Sequence, residues 1–266
     1  MLSHLDGTTR FSVIIGTPIA QVRSPGGITR VFQARGLNAL VVPMEVAPAD
    51  VGGLVGALAK VPNLDGIVVT VPHKPAAFAC CADMSERARF LGAVNVMRRR
   101  LAGDFAGDHV DGESLLAALR SSGFDPAGSR ALLLGAGGAG SAIGLALLEA
   151  ETRFLAIVDT DMTRRDQLVA RLSARFPGRC ATGAPEPRGF DLVVNATPAG
   201  MRPGDAPPLD VSLLSSGMTV ADAVTPPGIS ALIAGARSAG CKTVTGQEMF
   251  DAGVGLLADF LLGDGR

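Results

Sequence analysis

Leu132–Leu134 runs directly into Gly135-Ala136-Gly137-Gly138-Ala139-Gly140, and an apolar stretch carrying Ile143, Leu145, Leu147 and Leu148 follows. The pattern G-x-G-x-x-G is common by itself. Between an apolar strand and an apolar helix it leaves few folds open, because each glycine then has a mechanical reason. The first permits a tight turn, the second lets backbone approach a pyrophosphate, and the third lets helix and strand pack closely. The helix amino terminus adds N–H groups and a partial positive charge suited to phosphates. Gly135, Gly137, Gly138, Ala139 and Gly140 are therefore the expected dinucleotide cradle.

The next apolar run, Phe154–Val158, leads into Asp159. A carboxylate at a second strand tip accepts hydrogen bonds from an adenosine ribose and repels a 2′-phosphate. Arg164 and Arg165 follow; they either clasp such a phosphate or stand exposed at a helix start. The expected cofactor is NAD, with NADP as the alternative.

The rest of the chain alternates strand and helix. The expected strands of the first half are Phe11–Ile15, Ala39–Val46, Gly66–Val71 and Ala93–Met97, with helices over Gly26–Arg35, Pro48 to Lys60 and Pro75–Phe90. Such a βαβ series predicts a parallel sheet covered by helices. After a turn at Gly103–Gly107 come a helix, Asp111–Ser121, and a break at Gly123–Gly128. The second series has strands at Ala131–Leu134, Phe154–Val158, Leu192–Asn195 and Met218–Ala221. Helices fall after the glycine loop and over Thr163–Arg175, Ile229–Ala239 and Glu248–Leu262. The fold class is α/β with two domains. Residues 1–107 plus 246–266 form a substrate domain, and 108–245 a Rossmann-type doubly wound dinucleotide domain, with a cleft between them.

Composition excludes several classes. The net charge is −1, so nothing draws the chain to nucleic acid or an anionic membrane. The run Arg98–Arg100 reads as a solvated strand end. Four cysteines without a Cys-x-x-Cys, and three histidines (His4, His73, His109), assemble no zinc spacing, so no metal is expected. The first ten residues lack an apolar signal core and no apolar run approaches spanning length, which points to the cytoplasm.

A second feature lies at Val69–Lys74 (V-T-V-P-H-K). The stretch Gly66–Val71 is apolar and β-branched, and Pro72 cannot extend a ladder. Lys74 should therefore emerge at the carboxyl edge of a strand, where open α/β sheets place ligands. A lysine there can donate to a substrate oxygen or exchange a proton with it. His73 reads as structural.

Four segments join it: Gly16–Ala20 with Ser24-Pro25, Leu91–Asn95 (L-G-A-V-N), Asp111-Gly112, and Asn195–Met201. In this order the chain resembles the shikimate/quinate dehydrogenase family from end to end. The resemblance implies NAD(P)-dependent oxidoreduction of a ring hydroxyl on a cyclic polyol acid, and a place in aromatic amino acid biosynthesis. It implies that Lys74 is the catalytic lysine and Asp111 the aspartate paired with it. Ser24, Thr70 and Asn95 match substrate-binding positions, while Thr197 and Gly246 join the cofactor set. The partner is a small molecule, and the chain a monomer or homodimer.

Four departures stand out. Val22 replaces the first serine of the family's Ser-x-Ser-Pro. His109-Val110-Asp111 replaces Asn-Thr-Asp; His109 either donates to a substrate carboxylate or is a hydrogen-bonded hinge histidine. Gly253 falls where a substrate-binding glutamine is expected, and a late tyrosine is missing around Thr225-Pro226-Pro227. Two other outcomes remain open: a nucleotide-responsive binding protein of the same fold with little turnover, and a family dehydrogenase with a non-shikimate substrate.

Overall fold

The computed structural model describes residues 5–202, 204–225 and 228–263; His4 and the Pro226–Pro227 pair fall outside them. The chain divides into two compact units, one running to Val110 and resuming at Gly253, the other Asp111–Ala252. Sequence placed these boundaries after 107 and after 245. The shift moves Asp108, His109 and Val110 into the first unit and Gly246 with the start of the last helix into the second.

The first unit holds β1 (Arg10–Gly16), α1 (Ser24–Ala34), β2 (Ala39–Glu45), α2 (Val51–Leu58), β3 (Leu64–Val69), α3 (Lys74–Ala79), β4 (Asp83–Met84), α4 (Glu86–Leu91), β5 (Val96–Arg99) and β6 (Phe105–Asp108). Its sheet has the order β2-β1-β3-β5-β6-β4. The expected all-parallel arrangement holds for β2-β1-β3, while β5 runs antiparallel to both β3 and β6. Residues 103–107 are thus not simply a turn: Phe105 begins a strand that pairs with Arg99. The helix expected over Pro75–Phe90 is split, because Asp83 and Met84 pair in parallel with Ala106 and Gly107. Ser85 then starts α4 afresh, its side chain accepting from Ala88 N, a standard helix-capping bond. Val13, Ile15, Ile67, Val69 and Phe105 are fully buried in this unit's core. β2, the outermost strand, carries Pro43 opposite Ile14.

The second unit holds α5 (Asp111–Ser121), β7 (Arg130–Leu134), α6 (Gly138–Glu149), β8 (Phe154–Val158), α7 (Met162–Arg175), β9 (Cys180–Thr182), β10 (Leu192–Asn195), β11 (Thr219–Asp222), α8 (Ala231–Ser238) and β12 (Lys242–Val244). The last helix, α9 (Gly246–Leu262), begins here and finishes in the first unit. The sheet order is β12-β11-β10-β7-β8-β9, parallel throughout, the six-stranded doubly wound order. The short strands β9 and β12 carry no clear sequence signal. Leu132, Leu134, Val193, Val220 and Leu232 build the core. Strand order reverses between β7 and β10, and in such sheets the crevice at that point is where ligands bind. Among the described residues no helix is long and apolar enough to cross a membrane.

Candidate functional site

The crevice between β7 and β10 holds a cavity of about 530 Å³, a common size for a small-molecule site. Leu134, Gly135 and Gly137 line one side, Ala196, Thr197, Pro198 and Ala199 another, and Val158, Asp159 and Arg164 a third. The glycines behave as the motif requires. Gly135 has φ +103°, and a Cβ there would lie 2.8 Å from the carbonyl of Ala196. A Cβ on Gly140 would lie 2.0 Å from the Gly135 oxygen, so helix and loop meet with no room between. Gly137 has open space at its Cβ position, as a close backbone approach to a ligand needs. Gly138 and Ala139 form the first turn of α6, whose leading N–H groups lack intrahelical partners. This cradle fits a dinucleotide pyrophosphate.

Asp159 sits at the tip of β8 and is anchored from four directions. Its carboxylate accepts from Ala136 N (2.7 Å), Asp161 N (2.9 Å), and Arg164 Nε (3.3 Å) and Nη2 (2.8 Å). Burial pushes its pKa up, but Arg164 and the two backbone N–H groups outweigh burial and hold it at about 2. Arg164 is half exposed and reaches back from the start of α7. Arg165 pairs with Asp166 instead.

Thr197 lines the cavity from the loop after β10, its backbone N–H and hydroxyl both bound to Asn195 Oδ1. Gly246 does not line it. A Cβ there would lie 2.0 Å from Val224 O, so this glycine lets α9 begin against that backbone. Asp111 opens α5, and Gly112 behind it packs so closely on α6 that a Cβ would meet Ala142 O at 2.4 Å.

In the first unit, backbone hydrogen bonds gather a second set of residues at the carboxyl ends of β1 and β3. β3 stops at Val69, two residues before the sequence places its end, and residues 70–73 form a turn: Thr70 N donates to Ile15 O and His73 N to Thr70 O. Thr17 N donates to Val71 O, which brings the loop leading to Ser24 against this turn. Ser24 is the first residue of α1. Lys74 is the first residue of α3, half buried, and its carbonyl accepts from Val94 N. His73 is 1% exposed and donates from Nε2 to Val46 O (2.8 Å), so it braces the turn. Asn95 is buried; its carbonyl accepts from Val69 N and its Oδ1 from Val110 N (3.0 Å). Thr70, Lys74 and Asn95 thus share one corner.

His109 is 2% exposed beside Asp108. Burial raises the pKa of Asp108, yet Arg87, Ser85 and the His109 N–H together bring it below its ordinary value. The half-buried Arg87 and Ser85 that hold buried Asp108 carry no signal in the sequence pattern. Val22 is half buried and Gly253 is buried within α9; neither offers a side-chain hydrogen bond.

A family model, the shikimate dehydrogenase substrate binding domain, matches residues 14–97. A shikimate dehydrogenase (NADP(+)) from Rubrobacter xylanophilus is 38% identical over 252 residues, covering 92% of this chain and 88% of that one. The chain belongs to the shikimate/quinate dehydrogenase family. Its class is that of the oxidoreductases with a Rossmann-type unit for NAD(P). Among solved structures, quinate dehydrogenase from Corynebacterium glutamicum in complex with NAD superposes with a TM-score of 0.86 at 25% identity, covering 95% of this chain and 93% of that one. A ligand-free 5-ketofructose reductase of Gluconobacter sp. strain CHM43 gives 0.85 at 27% identity, over 96% and 98%.

Proposed function

We propose that the chain interconverts a ring hydroxyl and a ketone on a shikimate- or quinate-like cyclic polyol acid. The observation that carries this reading is the pairing of a dinucleotide cradle with the Thr70–Lys74–Asn95 corner in one member of this family. A bound nicotinamide supplies the hydride acceptor or donor. Gly135, Gly137, the first turn of α6 and the Thr197 loop hold the dinucleotide. Lys74, with Asp111, handles the proton at the reacting oxygen: it accepts the proton as the alcohol is oxidised and returns it on reduction. Thr70 and Asn95 orient the ring hydroxyls and Ser24 donates to the substrate carboxylate; buried His109 follows Asp108, whose carbonyl accepts from Asn95 N.

The test is an initial-rate assay with shikimate and quinate against NAD and NADP. Lys74→Ala should lower kcat by about a thousandfold. An unchanged rate removes Lys74 from the mechanism. Tight NADH binding without turnover on any ring alcohol replaces the enzyme with a nucleotide-responsive binder.

For the cofactor we propose NAD over NADP. Asp159 stays ionised in the cavity, and a 2′-phosphate there meets its charge and must draw Arg164 away from it. The NADP dependence named for the Rubrobacter relative argues the other way, and the ratio of kcat/KM for the two dinucleotides decides. A second substrate reading rests on Val22 and Gly253, which remove a hydroxyl and an amide from positions where the family binds substrate. Each lost hydrogen bond costs about 1 kcal/mol, more if it leaves a buried group unpaired. An uncharged polyol ketone, such as the substrate named for the Gluconobacter enzyme, tolerates those losses better than an acid. Adding neutral polyols to the assay separates the two.

A further inference from the structure

Asn195, the last residue of β10, is fully buried, and every hydrogen-bonding position of its amide is filled. Oδ1 accepts from Thr197 N (3.0 Å) and Thr197 Oγ1 (2.7 Å), while Nδ2 donates to Ala199 O (3.0 Å) and Asp222 Oδ1 (2.9 Å). Thr197 Oγ1 in turn accepts from Ala199 N (3.1 Å). One side chain therefore shapes the turn whose Thr197, Pro198 and Ala199 face the cavity. That turn has little freedom on its other side, since Gly135 packs on Ala196 with no space for a methyl group.

Three partners set which way the Asn195 amide points: the Thr197 N–H, the Ala199 carbonyl and, from outside the turn, Asp222. A flipped amide would aim Nδ2 at the Thr197 N–H and leave two donors facing each other. Asp222 adds to that cost, since it and the Ala199 carbonyl offer only acceptors on the other side, and of these partners it alone ties the amide to the neighbouring strand. It is 1% exposed at the end of β11. Its Oδ1 also accepts from Val224 N (3.2 Å), and its Oδ2 accepts from Ser230 Oγ (2.5 Å). Ser230 is fixed in turn as the cap of α8, accepting from Ile233 N. The chain of contacts runs from α8 through Ser230, Asp222 and Asn195 to the turn at the cavity wall.

We infer that Asp222 is a positioning residue for the dinucleotide, acting through the Asn195 amide on the Thr197–Ala199 turn. The inference rests on the proposed cofactor role of this cavity.

The test uses the full chain, with NADH and NADPH titrations read by dinucleotide emission, steady-state kinetics, and hydrogen exchange at the amides of Thr197 and Ala199. Asp222→Ala should raise the dinucleotide Kd by about tenfold, leave the KM of the ring alcohol within about twofold, and speed exchange at both amides. Asp222→Asn can keep an acceptor toward Asn195 and a donor toward Ser230 Oγ, so it should rescue both readouts. A purely structural role would lower the thermal midpoint and leave affinity unchanged, so a folded Asp222→Ala with wild-type Kd overturns the inference. If that variant does not fold, Asn195→Asp decides: it sets two carboxyls face to face and should weaken binding. Adding Asp222→Asn to it should restore part of the loss, and no recovery overturns the inference. A wild-type chain that binds neither dinucleotide instead overturns the cofactor reading, and with it what the turn is positioned for.

Discussion

Asp159 and Asp222 occupy equivalent places in one sheet, at the carboxyl ends of parallel strands β8 and β11, yet their protonation is pushed in opposite directions. In both, burial is the largest influence and raises the pKa. At Asp159 a guanidinium and two backbone N–H groups overcome it, and the carboxyl sits at about 2. At Asp222 the partners are a hydroxyl, a backbone N–H and an amide, all neutral, and burial wins. Position at a strand tip does not decide whether a carboxylate stays charged; the reach of a cation does. The charged aspartate faces the cavity, and the neutral-partnered one stands behind the wall.

This contrast can be broken in four ways, beginning with the cradle. Gly140→Ala places a methyl group on the Gly135 carbonyl and displaces the loop that gives Asp159 its Ala136 N–H. Dinucleotide affinity should fall by about a hundredfold or more, on an overpacking cost of roughly 3 kcal/mol, while the Asp222 cluster keeps its hydrogen bonds. Equal disturbance of amide exchange at Val224 would show that the two sites are not independent.

Asp159→Asn removes the charge but keeps the shape. The ratio of NADP to NAD kcat/KM should rise about tenfold, worth roughly 1.4 kcal/mol. An unchanged ratio would mean that Asp159 does not read the ribose edge. Arg164→Ala leaves Asp159 with burial and two N–H groups. Its carboxyl titration, followed by carbon NMR, should move from about 2 up toward 3.8.

The smallest effect, and the one that tests the sign, is the acid limb of stability. The folded pKa of Asp159 lies below its unfolded value, so its contribution is present above about pH 4 and is lost as pH falls toward 2. Half exposure of Arg164 limits that contribution to about 1 kcal/mol. The folded pKa of Asp222 lies above its unfolded value, so its cost is present at neutral pH and is relieved as pH falls through the folded pKa. Denaturant melts of Asp159→Asn and Asp222→Asn against pH should diverge, the first losing stability at pH 7 and the second holding or gaining a few tenths of a kcal/mol. Parallel curves would refute the contrast.

The Asp159 side of this comparison was legible in the sequence because it is local. Cradle, strand tip and arginines span residues 134–165, and the mechanics of each glycine follow from neighbours within a few positions. β8 and β10 fall where hydrophobicity puts them for the same reason. Asp222 was not legible, since its meaning comes from Asn195, 27 residues away in sequence, and from Ser230 at the start of another helix. The first unit shows the same limit. Phe105–Asp108 carries glycine and aspartate that read as a turn, and only pairing with Val96–Arg99 makes it a strand. The helix expected across Cys80–Ser85 is interrupted because Asp83 and Met84 join β6, a contact that local propensity does not contain. Lys74 was legible as a residue following a strand, although that strand ends earlier and a turn intervenes.

Pro43 in β2 has a consequence of another kind. Open sheet edges invite strands from other chains, and proteins blunt them by shortness or by proline. In the first sheet one edge strand is the two-residue β4 and the other carries Pro43, which has no N–H to offer a newcomer. In the second sheet both edge strands, β9 and β12, are three residues long. A chain nearly half hydrophobic, 47% by residue, therefore presents no long uninterrupted strand edge among its described residues on which a fibril or a strand-swapped aggregate could grow.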